Sequence, residues 1–418
     1  MAVTDTTLDG YFKDRYADKA EDIVPDFSIV SEDIKFNAGA KQLGGEYVEN
    51  VRVRRTAGHT FYGSDLDAFA LNAPISGQRK PARVKGTQYV LREQIAYGVV
   101  ASAKDSMQAF GNAFDDVVLD MKNAAGFARE MCMLYGGSNI GAIGTYTGTG
   151  TARTIVISEA SWAAGLWSQM EGAALDIYEP AQPPVTKLNT NADVLVTSID
   201  ASTRTITVSG NATDLSAAAA LDVLVPKGAV GAWFDGLRVL LPNTGSMHGL
   251  DAATYGLWKG NTRAAGGVLT FSILQGMATD ILVRGGMGKL CTYVSPYTWT
   301  DLNNDQAALR RYTSDTRGEI TLGTQSIKYF GVQGELELKP HPMVKAGDAF
   351  AVNPRQLSRP GATDITFSLG IEGQQERFFR ELENNAGVEI RCYWNQGLMN
   401  KRPPCHGYIS GINNASLS

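Results

Sequence analysis

Four histidines, four cysteines and the aspartates at 65 and 67 are the residues from which this 418-residue chain could build chemistry. A metal site needs three or four converging ligands, often at spacings such as HExxH or CxxC. His59, His248, His341 and His406 each stand alone, and only His406, beside Cys405, comes near a ligand pair. Cys132, Cys291, Cys392 and Cys405 lie scattered with no CxxC, which predicts free thiols in a reducing cytoplasm and no zinc cage. A serine hydrolase would need a strained GxSxG turn; GYISG (407–411) misplaces the serine by one position. Asp65 and Asp67 could share general acid and base work, with a pair of solvated loop carboxylates as the plainer alternative. The glycines of GSNIGAIGTYTGTGT (137–151) invite a phosphate cradle. No GxxxxGK[ST] is present, and what precedes them is a helical pattern rather than a strand, so a flexible connector is expected. No catalytic, cofactor-binding or metal-binding residue is therefore predicted. An α/β enzyme whose site gathers distant loops around His59, Asp65 and Asp67 stays as a rival reading.

The elements that would have to position such residues read more clearly. His341 sits between Pro340 and Pro342, two rings that fix φ and favour extended chain. It is predicted to shape a corner between the strands GELELK and DAFAVN, with no ligand role. Met107, Phe110, Phe114, Val117 or Val118, Met121, Ala125, Ala128, Cys132 and Tyr135 recur every three or four residues. They predict a helix over 105–135, supported at its start by Asp105 and stopped by Gly136-Gly137. At 1.5 Å per residue such a helix spans roughly 45 Å, a stiff strut. Helices are also expected at about 269–283, in YTWTDLNNDQAALRRY and in QQERFFRELENN, and a buried strand at KLCTYVS (289–295). SEASWAAGLWSQMEGAALDIY reads as a helix running into a strand. A small β insertion of some fifty residues is expected after PAQPP (180–184).

With 44% hydrophobic and 19% charged residues, the chain can bury a core and predicts two or three substructures. No run approaches ~18 consecutive apolar residues, and the first residues lack a basic-then-apolar signal layout, so neither a membrane span nor a leader is expected. A net charge of −5 argues against a protein built to grip nucleic acid. The charge is uneven, however. Residues 1–33 carry nine acids against three bases, and 46–92 carry eight bases against four acids. Leu8, Phe12, Tyr16, Ala20 and Ile23 or Val24 give the acidic segment a helical stripe ending before Pro25. EYVENVRVRR (46–55) and TQYVLREQIAYGV (87–99) read as two strands of a long hairpin, joined by some thirty residues of Gly, Pro and basic character. That stretch has too few large apolar residues for a core of its own and reads as an arm that rests on something else. Complementary fields of this kind suit docking between chains. Asp14, Asp18, Glu21 and Asp22 on one side, and Arg52, Arg54, Arg55, Arg79, Lys80, Arg83 and Lys85 on the other, are the candidate contacts. A solvated acidic helix and a solvated hairpin are the competing explanation.

Taken in order, these parts resemble a tailed-bacteriophage major capsid protein of the lambdoid (HK-ninety-seven) capsid fold. The resemblance rests on order and spacing. An arm (1–45) precedes a long extended loop (46–99), then a spine helix ending REMCMLYGGSNIG within a peripheral domain (100–150). EASWAAGLWSQMEGAALDIY resembles the first part of an axial domain (151–178), followed by an inserted β domain (179–232). ILQGMATDILVRGG and KLCTYVSPYTWTDL resemble its second part (233–340), and IKYFGVQGELELKPHPMVKAGDAFAVNP the return to the peripheral domain (341–418). The resemblance implies an α+β capsid fold and self-assembly through pentamers and hexamers into an icosahedral shell. That shell would enclose double-stranded DNA without sequence-specific binding, in the virion, after assembly in the host cytoplasm. It also implies a separate scaffolding protein, a portal and a decoration protein as partners, and no cofactor, enzyme activity or membrane. Some relatives crosslink a loop lysine to a neighbour's asparagine. Lys80 and Lys85 lie in the corresponding loop, but no asparagine or catalytic acid matches, and no crosslink is predicted. An encapsulin-like compartment shell shares this fold and is the nearest alternative; the β insertion counts against it.

Overall fold

The computed structural model describes residues 28–37, 42–43, 45–63, 68–96, 107–304, 327–332, 334–367, 380–382 and 386–415. Asp14, Asp18, Glu21, Asp22, Asp65, Asp67 and Asp105 lie outside the described residues, as do the segment QQERFF and the second half of YTWTDLNNDQAALRRY.

The long helix runs Met107–Tyr135 and stops where Gly137 turns to a φ of +70°, a left-handed conformation that glycine adopts without steric cost. Its stripe is not one-sided to the end. From Glu130 to Tyr135 every residue is buried, so the last turns run through the core rather than along its surface. Around this helix lies a sheet in which Leu357–Thr366 pairs with Gly387–Gln396. Gly387–Gln396 pairs in turn with Thr87–Ala96, in unbroken register from Gly387 opposite Ala96 to Gln396 opposite Thr87. Phe36–Asn37 adds a short parallel strand beside Arg359 and Pro360.

A second, mixed sheet is ordered Asn261–Gly267, Gly407–Ile412, Asp348–Val352, Leu290–Val294, Gly334–Pro340, Ile327–Gly331. The helix Phe271–Val283 lays Phe271, Leu274, Met277, Ala278 and Ile281 on it, against Leu290, Leu338, Ala349 and Ile409. Leu290–Val294 is buried at every position, as KLCTYVS predicts, and the helix Pro296–Asn304 follows it directly. The segment read as a return to the peripheral domain (341–418) is shared between the sheets. Asp348–Val352 and Gly407–Ile412 belong to the second, and Leu357–Thr366 and Gly387–Gln396 to the first.

Four further expectations are corrected. The strand paired with Glu46–Arg54 is Gln78–Lys85, from Glu46 opposite Lys85 to Arg54 opposite Gln78, and not 87–99. The chain turns back at Gly86, and Thr87–Ala96 leaves the hairpin for the first sheet. The β unit is also larger than the expected insertion at 179–232. It is a closed six-stranded barrel made from Gly141–Thr147, Ala152–Ile157, Ala174–Tyr178, Val194–Asp200, Thr205–Ser209 and Val223–Pro226. The glycine-rich connector is its first strand, where Gly141 sits so close to Trp167 that an added Cβ would lie 2.9 Å from the indole. The stretch expected to be a helix before that barrel's third strand is a single turn, Ala164–Trp167.

Candidate docking surface

The hairpin has a rooted base and an unsupported tip. At the base Tyr47, Ala82 and Val84 are buried, and the Arg83 N–H donates to the His248 carbonyl at 2.9 Å. Lys401 Nζ lies 3.4 Å from Glu49. His248 holds this junction: its ring Nε2 accepts from the Asn400 N–H, and burial pushes its pKa down to about 4, so the ring is neutral near pH 7. Beyond Arg54 the chain loses this support. Phe61 is 90% exposed and Leu71 78%, with Tyr62, Phe69 and Ile75 each near half. The tip is nonetheless shaped. Tyr62 stacks on Phe69 with ring centroids 4.5 Å apart, and Asn72 bonds Thr60 Oγ1 and the His59 carbonyl. Preformed aromatic surface of this kind is what binding hot spots are made from.

The basic candidates divide on this hairpin. Arg83 pairs with Glu46 at 3.3 Å, half in solvent, a contact worth little. Arg52 lies directly opposite Arg79 in the ladder, a like-charge pair that opposes hairpin formation unless an anion sits between. Arg52, Arg54, Arg55, Arg79, Lys80 and Lys85 make no ion pair among the described residues.

Residues 28–37 are bolted down, and sequence reasoning missed how. Glu130 on the long helix is fully buried, and its carboxylate accepts from the Val30 N–H (2.5 Å) and the Ser31 N–H (3.0 Å). His341 Nε2 contacts the same carboxylate at 2.9 Å, while His341 Nδ1 accepts from the Met343 N–H. The second contact fixes the tautomer: Nδ1 is unprotonated, so Nε2 carries the hydrogen that Glu130 receives. Asp33 takes hydrogen bonds from Tyr293 and Lys339, at 2.6 and 2.7 Å. Arg359 Nε donates to the Ile34 carbonyl at 2.6 Å, and Arg129 reaches Ser31 Oγ. The segment thus ties the long helix, both sheets and the 341 corner together.

His341 lies in the corner between Gly334–Pro340 and Asp348–Val352, as its flanking prolines predict. The corner also locks to the chain at 160–165: Ala346 N–H donates to the Trp162 carbonyl and Gly165 N–H to the Pro342 carbonyl. Gly347 is required there, because a Cβ would meet the Ala160 carbonyl at 2.7 Å. Beside it, buried Lys345 donates to the carbonyl and side-chain oxygens of Asn139, both at 2.7 Å, over the Tyr135 ring. Burial lowers its pKa to about 7. Burial likewise pulls His406 down to about 3, so its ring is neutral near pH 7, and pushes Cys392 up to about 11 and Cys291 to about 12, which keeps both thiols protonated and poorly nucleophilic there. Among the described residues no group of three or more His, Cys, Asp or Glu could hold a metal, and no helix is long and apolar enough to cross a membrane.

This arrangement of long helix, two sheets and outstretched hairpin has solved counterparts. One is the capsid asymmetric unit of cyanophage A-1(L), at 10% identity and a TM-score of 0.54, covering 98% of this chain and 99% of that one. The chain has the phage capsid fold. The capsid of the native GTA particle matches at 8% identity and a TM-score of 0.51, over 99% of this chain and 100% of the other. Such identities carry the fold alone. No family model matches the sequence, and no curated protein does either.

Proposed function

We propose that this chain is the major capsid protein of a tailed bacteriophage, assembling through pentamers and hexamers into an icosahedral shell around double-stranded DNA. The observation that carries this reading is the capsid fold, matched over essentially the whole of both chains. The exposed apolar tip supports it: Phe61 and Leu71 each gain about 1.5–3 kcal/mol on full burial, and a neighbouring copy is the surface that would cover them. Arg52, Arg54, Arg55, Arg79, Lys80, Arg83 and Lys85 serve as one charged face of the contact, with Asp14, Asp18, Glu21 and Asp22 as the other. The role is structural and non-enzymatic. A separate scaffolding protein, a portal and a decoration protein are its partners in this reading. The protein resides in the virion after assembly in the host cytoplasm and holds DNA without reading its sequence.

Negative-stain microscopy of the purified chain tests the proposal. Closed shells, curved sheets or ring-shaped capsomers are expected; uniformly small particles at high concentration would refute it.

A further inference from the structure

Among the described residues, the strands Glu46–Arg54 and Gln78–Lys85 make one backbone hydrogen bond outside their own sheet, from the Arg83 N–H to the His248 carbonyl. Packing leaves space at this junction. A cavity of about 160 Å³ is lined by Tyr47 and Val84 of the hairpin and by Pro360 and Met399 of the body. His248 sits in the turn between two short strands, Ser246–Met247 and Leu250–Asp251, with a φ of +54° followed by +77° at Gly249. Positive φ at both central residues is the type I′ pattern, where asparagine and glycine are the usual choices. The ring accounts for a histidine there. Its Nε2 accepts from the Asn400 N–H at 3.3 Å, and Trp258 stands nearly edge-on to it with ring centroids 6.5 Å apart. The Trp258 indole N–H donates to the adjacent Met247 carbonyl. One residue thus joins three pieces: its carbonyl holds the hairpin, its ring the chain at 400, and its turn the Trp258 loop.

A donor facing Nε2 requires an unprotonated ring, since a protonated Nε2 sets donor against donor in a buried site. The carboxylates on the adjoining elements are already engaged. Glu46 pairs with Arg83, Glu49 with Lys401, and Asp251 accepts from the Ala253 N–H and the Thr254 hydroxyl. The other charged groups there, Lys259, Arg284 and Arg402, are cations and oppose a further positive charge. We propose that His248 is an acid-released latch on the hairpin: a proton on its ring breaks the bond to Asn400, frees the turn and so gives up Arg83. Burial holds the ring's pKa at about 4 against an ordinary 6.5, so the released form takes the proton first as the pH falls. The latch is at full strength above pH 6.5, weakens toward pH 4 and changes no further below that. Across this window the released fraction should rise about 300-fold. In an assembly, mild acid then changes the angle at which each hairpin meets its neighbour. The latch itself belongs to the single chain and does not depend on the shell reading.

Amide hydrogen exchange of the dilute full-length chain, corrected for the intrinsic rate at each pH, tests it. In wild type, protection at Arg83 and Asn400 should fall together, about tenfold per pH unit below 6.5, while the Phe271–Val283 helix keeps its own. His248→Gln offers an amide oxygen in place of Nε2 and has no proton to gain, so protection at Arg83 should not vary with pH. His248→Asn, which tolerates the left-handed turn, should give the same flat profile even where the bond to Asn400 is lost. Glu49→Gln, which removes the neighbouring ion pair, should keep the wild-type fall. A flat wild-type profile overturns the proposal, and so does a fall that persists in both His248 variants or vanishes in Glu49→Gln. Loss at Asn400 without loss at Arg83 means the ring does not hold the hairpin, and parallel loss in the helix means the whole chain unfolds; either result overturns it too.

Discussion

Glu130 holds three hydrogen-bond donors with two oxygens in a site sealed from solvent. Glutamine there keeps the shape, but whichever way the amide turns, its NH₂ faces one of the two backbone N–H groups, leaving donor against donor. Glu130→Gln should therefore cost about 3 kcal/mol of stability. Amide hydrogen exchange at Val30 and Ser31 should rise well above that of the Phe271–Val283 helix; equal protection in wild type and variant would show that the carboxylate does not hold the segment. Lys345 gives a pH signature. Its folded pKa is about 7 against an ordinary 10.5, so between those values the unfolded chain binds the extra proton. Stability should rise with pH across that window, by about 1.4 kcal/mol per unit from this group alone, and show no slope from it below pH 7. Denaturant midpoints of wild type and Lys345→Met between pH 7 and 10 check this, because the variant should lack that part of the slope. Neither residue was legible in the sequence. REMCMLY looks like the end of an amphipathic helix, and nothing in it marks a glutamate that two distant segments converge on.

At the scale of elements, the periodic pieces were readable and the pairings were not. The long helix declares itself through residues such as Met121, Ala125, Cys132 and Tyr135, and the buried strand through LCTYV. Gln78–Lys85 (QRKPARVK) hides because it carries a proline and alternates cations with only two small buried residues, Ala82 and Val84. TQYVLREQIA looks the better hairpin partner and is in fact the stronger strand, which is why the larger sheet takes it. The barrel was missed where Gly141–Thr147 passed for a linker; its glycines answer close packing against Trp167 and Val156 rather than freedom of the chain. The hairpin's two ends should respond oppositely to mutation. Tyr47→Ala at the root opens the core and should cost about 3 kcal/mol in unfolding free energy. Phe61→Ser with Leu71→Ser at the tip should leave unfolding within about 0.5 kcal/mol of wild type while abolishing assembly. Loss of stability from the tip change would mean the tip packs on its own body.

For the whole molecule, the division of labour is between a bolted body and an outreaching hairpin. Bonds at Glu130, Asp33 and Arg359 keep the two sheets and the long helix as one unit, a firm base for the hairpin. Individual exposed ion pairs contribute only about 0–1 kcal/mol, and cohesion between copies has to come from apolar burial at the tip, with charge setting register. Cryo-electron microscopy of the purified, concentrated chain, read at Phe61 and Leu71, tests this most directly. Shells or capsomers in which both side chains are covered by a neighbouring copy are expected. Particles holding a single copy, with both side chains still facing solvent or folded onto their own body, would contradict it.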